Sequence, residues 1–492
     1  MLRNLVLGLV LVAGLCQIAV AAEAQDSPAP SAVALTRHSG LFNGQPLTYE
    51  ARVEAWRAMP APAEASATSM PGREGQIVTT SYVRTDAPAG PRPVIFLFNG
   101  GPGASTTPLH FGAFGPKRRV GEGANQQMVD NPHSLLDVAD LVFIDPVGTG
   151  YSRPASPDAG QAFWSPTGDA LSVKGVIADW LGFHGRQASP RYVLGQSYGT
   201  TRAALIAHHG SALKLDGVLL FALVARPPGL EMPYVTTLPS FAASAWSHGR
   251  IPRQGRTAGQ VYEAAVEFAR TDYVSALIAG ASLPPHARRD VAEAMSDLIG
   301  LPVDLILEKD LRLSRADFYL NLLRDQGLRT GQLDARATRA LDAPAQRPPY
   351  DDPGLNYIPP RPAEALTGAL PVAAGLSAVE SYFKSHLAFE TAETYESLNL
   401  EVNAAWKWGE GEDQAPQRLA EAMAADPKLR VFWAAGLFDL STPAYAGRYM
   451  LDQAGVPADR LTSVLFESGH SVFVDPDGLS ALGAAVRDFV RP

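Results

Sequence analysis

A nucleophilic serine needs a base to take its proton, an acid to orient that base, and N–H donors for the oxyanion that develops on the substrate. The sequence offers a candidate for each. Gly195-Gln196-Ser197-Tyr198-Gly199 is a G-x-S-x-G stretch between the apolar run 192–194 and the helical stretch 200–209. Strand, sharp turn and helix would expose Ser197 on an elbow. In a chain with 44 glycines the motif alone is not rare, so its companions decide its meaning. Of the ten histidines, only His470 follows a late strand-like run, in the turn Ser468-Gly469-His470-Ser471, and precedes a closing helix. His208 and His209 would sit roughly 15 Å along the helix leaving the elbow, and His110, His184 and His248 read as surface or lid residues. Asp439 leaves the preceding strand in Ala435-Gly436-Leu437-Phe438-Asp439 and is the candidate acid; Asp475 and Asp477 lie too near His470 in sequence to reach round its ring. The donors belong to Asn99-Gly100-Gly101-Pro102-Gly103, at the end of another apolar run, where glycines let backbone N–H groups approach a substrate oxygen.

The elements that must position these residues follow from periodicity. Residues 76–83 alternate as a strand does, and 94–98, 141–144, 192–194 and 218–224 are continuous apolar runs, as expected of strands buried on both faces of a parallel sheet. Between them, 169–183 carries Leu171, Val173, Val176, Ile177, Trp180 and Leu181 at helical spacing. Strands separated by helices imply right-handed crossovers and an α/β sheet. After Arg226 no buried strand run occurs for about 200 residues, where 261–269, 288–299 and 315–323 read as amphipathic helices. A Pro-rich patch, 343–362, interrupts them. Strand-like text returns at 430–434 and 462–466, and 479–490 closes as a helix. This order predicts an α/β core, 91–226 and 428–492, interrupted by a mostly helical lid insertion over 227–427 and preceded, over 25–90, by a leader (flexible through 25–33) and the first strands.

Composition bounds the function. A chain of 492 residues with 46% hydrophobic and 18% charged residues has the balance of a soluble globular protein, and a formal net charge of −9 without a basic stripe argues against a nucleic-acid partner. Arg3, the apolar run 5–20 and small residues near 19–24 read as a cleaved signal peptide over 1–24, not a membrane anchor. The sole cysteine, Cys16, lies inside it, so the mature chain would carry no disulfide, zinc–thiolate site or cysteine nucleophile. Export without disulfides suits a periplasmic or secreted location. No metal or cofactor is called for. The chain order serine, acid, histidine on such a sheet is that of the α/β-hydrolase fold, with a mostly parallel sheet.

The sequence also resembles the serine carboxypeptidase family. The resemblance is carried by residues 99–105 (NGGPGAS), 143–152 (FIDPVGTGYS), 195–199 (GQSYG), 436–439 and Gly469-His470, in the family's order. Stretches of the insertion look like bacterial members: Met232-Pro233-Tyr234, Leu238-Pro239-Ser240-Phe241 and 322–328 (LLRDQGL). The resemblance implies hydrolysis of a peptide or protein at its carboxyl end, with Ser197 attacking, His470 carrying the proton and Asp439 holding the imidazole. It further implies oxyanion donors in the amides of Gly101 and Tyr198, and a grip on the substrate carboxylate from Asn99, the amide of Gly100 and Gln196. Family members usually place acids at two positions that here are Gln196 and Ala113. An acid donates to a carboxylate only when protonated, so their loss predicts an optimum nearer neutral pH and weaker discrimination of free carboxyl termini. Lys117-Arg118-Arg119 could compensate by pairing with that carboxylate, against the plainer reading of a solvated turn. The neighbouring readings are an esterase, an acyltransferase or a proline-iminopeptidase-like aminopeptidase; a non-catalytic binding protein on the same scaffold is a reading of another class. The side-chain preference and the oligomeric state are not legible.

Overall fold

Apolar residues alternate between the two faces of one ten-stranded sheet. The computed structural model describes residues 28–60, 74–121, 125–210, 212–344, 352–356, 377–409 and 414–491. The expected signal peptide and most of the Pro-rich patch lie outside them. In chain order the strands are β1 (Ala32–Phe42), β2 (Gln45–Ala58), β3 (Gly75–Arg84), β4 (Val94–Phe98), β5 (Lys117–Val120), β6 (Gln127–Asp130), β7 (Asp140–Asp145), β8 (Arg153–Pro154), β9 (Arg191–Gln196), β10 (Gly217–Phe221), β11 (Leu328–Thr330), β12 (Thr338–Ala340), β13 (Arg430–Gly436) and β14 (Leu461–Phe466). The main sheet runs β1-β2-β3-β7-β4-β9-β10-β13-β14, with β8 paired to β3. From β7 to β14 every neighbour is parallel, whereas β1, β2 and β3 join antiparallel. This is a mixed, mostly parallel sheet with helices between strands.

The period of two along a strand fixes which side chains meet which helix layer. Val94, Phe96 and Phe98 of β4 enter one apolar cluster with Val193, Val218, Leu220, Val431 and Trp433; Ile95 and Leu97 enter the other with Tyr192, Leu194, Leu219 and Phe432. The helix Pro166–Phe183 covers the first face, its Ser165 accepting a capping hydrogen bond from the Gly168 amide. The closing helix Pro476–Val490 covers the second through Leu479, Leu482 and Val486. Between β10 and β13 the chain makes helices that include Met232–Ser247, Ala258–Phe268, Pro285–Ile299 and Arg315–Asn321, with β11 and β12 as a short hairpin.

Three expectations are corrected. Residues 32 and 33 belong to β1, not to a flexible leader, and β1 and β2 form a long antiparallel hairpin turning at Asn43-Gly44, both with positive φ (48° and 76°). An Asn-Gly pair suits such a two-residue turn, and it was the local signal for this hairpin. The strand expected over 218–224 ends at Phe221, because Ala222 turns to φ 54° beneath the elbow. His110 is no surface residue: it is buried, stacked 3.9 Å from Phe111 and 4.2 Å from Phe143, and hydrogen-bonded to the Tyr82 hydroxyl at 2.7 Å. Burial holds its imidazole down to a pKa of about 3.

Candidate active site

The nucleophile, base and acid candidates all stand at the carboxyl edge of the parallel strands, where open α/β sheets place their sites. Ser197 follows β9 at φ 58° and ψ −129°, a strained backbone for a residue with a Cβ, and the helix Tyr198–His208 begins directly after it. The turn is locked by hydrogen bonds from the Ser197 amide to Phe221 O (2.9 Å) and from the Thr200 amide and hydroxyl to Ser197 O (2.8 and 2.6 Å). A Cβ on Gly195 would lie 2.0 Å from Gly199 O, which is why the elbow needs glycine there. Ser197 stays partly exposed while Gln196 and Tyr198 on either side are buried.

Asp439 leaves β13 and His470 leaves β14. His470 Nδ1 meets Asp439 Oδ2 at 2.8 Å, with the carboxylate fully buried and the imidazole 12% exposed. Asp439 also accepts from the amides of Ser441 (2.7 Å) and Thr442 (3.0 Å) and from the Thr442 hydroxyl. Burial pushes the Asp439 carboxyl up, but the neighbouring His470 charge and these hydrogen bonds outweigh it and hold it below its ordinary value. Burial lowers His470, yet the Asp439 charge and hydrogen bond, with the charge of Asp352 behind them, raise it above the ordinary imidazole value.

Gln196 joins the strand that leads to Ser197 to the turn of His470. Its Nε2 donates to Ser471 Oγ (3.0 Å) and His470 O (3.3 Å), and its Oε1 accepts from Asn99 Nδ2 (2.6 Å). Both amide hydrogens are therefore engaged within the protein. Gln196, expected as a donor to substrate, here acts on Asn99 and the His470 turn. Asn99 Oδ1 in turn accepts from the Leu109 amide (3.2 Å). Gly100 lies against the elbow: a Cβ there would be 2.5 Å from the Tyr198 nitrogen and 2.8 Å from Gln196 O, so the glycine lets the two backbones approach. Tyr198 opens its helix and so lies at the helix's positive end. Ala113 is buried and offers no side-chain donor, its carbonyl accepting from Asn131 Nδ2 at 2.8 Å. Lys117, Arg118 and Arg119 lie in the separate β5–β6 hairpin, where Lys117 pairs with Asp130 and the charge of Arg118 acts on His133; among the described contacts none joins them to Ser197, His470 or residues 99–103. The compensation by these cations thus has no geometric support.

Several positioning groups escaped the sequence reading. Arg202, buried beneath the elbow, donates to Asp169 Oδ2 (2.7 Å) and to Asn99 O (2.6 Å), while Asp169 also accepts from the Tyr198 hydroxyl (2.9 Å). Thr442 lies 3.2 Å from His470 Nδ1. From the insertion, Asn399 donates its amide N–H to Gly103 O (2.8 Å) and its side chain to Gly148 O (3.0 Å), and Asn403 Nδ2 donates to Pro102 O (3.0 Å), so that one segment braces both the 99–105 and 143–152 motifs. Arg202 stands only three residues beyond the elbow, but nothing local marks its partners.

Elbow, buried acid and paired histidine stand on this sheet in the order and places of the α/β-hydrolase fold. Residues 80–209 match the profile of the serine carboxypeptidase family. Serine carboxypeptidase-like 36 of Arabidopsis thaliana is 30% identical over 154 residues, 30% of this chain and 31% of that protein, and serine carboxypeptidase-like 9 of the same plant is 30% identical over 132 residues, 26% and 30%. The matched stretches span less than a third of the length of these relatives. Among solved structures, Kex1(delta)p, a prohormone-processing carboxypeptidase from Saccharomyces cerevisiae, shares the fold at a TM-score of 0.52 and 14% identity, over 89% of this chain and 91% of that one.

Proposed function

We propose that this protein is a serine-type carboxypeptidase of the bacterial type, exported to the periplasm or beyond, that removes residues from the carboxyl end of peptides. The observation that carries the reading is the 2.8 Å Asp439–His470 pair, set on a turn that Gln196 ties to the nucleophile's strand. In the proposed reaction His470 takes the Ser197 hydroxyl proton as Oγ attacks the scissile carbonyl. The amides of Gly101 and Tyr198 stabilise the oxyanion, and the protonated imidazole gives its proton to the leaving amine. Water then reverses the sequence to release the acid. Asn99 and the Gly100 amide are the groups proposed to receive the substrate's terminal carboxylate. The stretches of the insertion similar to bacterial members support the bacterial type, and the segment 1–24 supports export.

Mass-spectrometric digestion of a peptide library, with free and amidated carboxyl ends compared, tests this reading. Stepwise loss of single residues from free ends is expected. Release from the amino end would favour an aminopeptidase, and cleavage of esters alone would favour an esterase or acyltransferase. Fractionation of the producing cells, with amino-terminal sequencing of the mature chain, tests the exported location.

A further inference from the structure

The insertion reaches the base as well as the substrate side. Its loop 331–335 lies between the two late turns of the core: the His470 amide donates to Leu333 O at 2.7 Å, the Leu440 amide to Gln332 O at 3.0 Å, and the Ala335 amide to Phe438 O at 3.0 Å. Three backbone hydrogen bonds therefore tie one stretch of insertion to the acid's loop and the base's turn together. From the lid helix Met232–Ser247, the capping His248 joins through Nε2 to Ala335 O at 2.7 Å. One side chain gathers the amides of this loop. Asp352, buried, accepts from the consecutive amides of Gln332 (2.8 Å), Leu333 (2.8 Å) and Asp334 (3.2 Å) and from that of Gly354 (2.7 Å). Successive N–H groups converging on one carboxylate make an anion-binding nest, closed here by the chain's own acid.

We propose that Asp352 is a positioning residue for the catalytic base, gathering the 331–335 loop so that the Leu333 carbonyl holds the His470 turn in register with Asp439. The proposal rests on the reading of Ser197 and His470 as nucleophile and base. Its second consequence is electrostatic. The charged groups around His470 are Asp439 from the β13 loop and Asp352 from the insertion; beside them Arg336 pairs with both Asp334 and Asp475, and Arg315 donates to Ser441 O behind Asp439. Of these, Asp439 and Asp352 are the two whose negative charge favours the imidazolium, so neutralising Asp352 makes the base easier to deprotonate.

The test is the rate at which an alkyl fluorophosphonate modifies Ser197, measured across pH in the full chain and in Asp352→Asn and Asp352→Ala. In that reaction Ser197 Oγ bonds to phosphorus, fluoride leaves, and the hydroxyl proton passes to His470, so no peptide specificity enters. The expected result is a plateau rate roughly ten- to a hundredfold lower in both variants, as for a misplaced catalytic group, and an acid limb moved to lower pH. A merely structural role would not move that limb. Asp352→Asn is isosteric and the milder change; if Asp352→Ala does not fold, the Asn variant alone decides. A folded Asn variant with the wild-type rate and limb overturns the proposal. Failure of the wild-type chain to react at Ser197 overturns the hydrolase reading itself, and the two failures are told apart by the wild-type control.

Discussion

Gln196 ties the strand that leads to Ser197 to the His470 turn, and its amide does so without a titration of its own. Its amide donates to His470 O and Ser471 Oγ at any pH. A carboxyl group could do so only while protonated, and once ionised it would face the His470 carbonyl as a like partner. Gln196→Glu is therefore expected to lower kcat/KM wherever the new carboxyl is ionised, which removes most of the activity at the pH where His470 is neutral; an unchanged profile would contradict the assignment. In the native protein the limit comes from His470, which must be neutral to accept the Ser197 proton. Because Asp439 raises its pKa above 6.5 despite burial, activity should rise with pH through a limb lying above that value. Asp439→Asn should move the limb down and cost roughly 10⁴-fold in kcat, the loss seen when a triad acid can no longer fix the imidazole. Both are read from the pH dependence of peptide release, and a native limb below about pH 5 would show that another group governs the rate. Ser197, Asp439 and His470 were legible because each follows a strand and so inherits a direction from the sheet. The role of Gln196 was only half legible: its place beside Ser197 is local, but Ser471 and Asn99 come to it through folding.

Elements hold these residues through contacts that single positions can break. The glycine loop and the elbow touch at Gly100, where an added Cβ would stand 2.5 Å from the Tyr198 nitrogen. Gly100→Ala should displace that amide and lower kcat by 10²- to 10³-fold, roughly 3 kcal/mol of transition-state stabilisation, and should lower the melting temperature too, since the Cβ would press on the backbone of Gln196, Tyr198 and Gly199. A variant with native kcat would remove Tyr198 from the oxyanion site. Beneath them the Arg202–Asp169 pair joins Asn99 O, the elbow helix and the helix Pro166–Phe183. Removing one member leaves a charge buried without its partner, so Asp169→Ala should cost about 3–5 kcal/mol in urea unfolding as well as activity. If stability were unaffected, Arg202 would have found another acceptor. The sequence conveyed the parallel strands and the covering helices well, since continuous apolar runs and helical spacing are local. It conveyed the β1–β2 hairpin poorly, because β1 is an edge strand whose alternate inward residues Ala34, Thr36, His38 and Gly40 are only half-buried and carry little apolar signal. Braces such as Asn399 on Gly103 join residues almost 300 positions apart, and no periodicity encodes them.

At the scale of the whole molecule, the question is whether the insertion is a separate lid or part of the body that carries the site. Packing answers for the body. One contiguous apolar cluster contains Phe96, Trp180 and Val193 of the sheet and its helix layer together with Phe241, Tyr262 and Phe318 of the insertion. Loop 331–335 adds hydrogen bonds to the turns of Asp439 and His470, and Asn399 adds them to the glycine loop at Gly103 and to Gly148. Elements that share a core lose it together, so sheet and insertion should unfold in one cooperative transition. Phe318 is fully buried and stacks on Phe241 at 4.2 Å between ring centres, within the insertion and far along the chain from Ser197. Phe318→Ala should cost about 3–5 kcal/mol, and that loss should fall on both parts. Fluorine NMR of fluorotryptophan-labelled protein can follow them separately, through Trp180 beneath the sheet and Trp246 in the insertion. Both native signals are expected to disappear over the same temperature interval, shifted downward together in the variant. Earlier loss of the Trp246 signal alone would mean that the insertion melts as a unit of its own, and the base would then depend on a part that opens independently of the sheet.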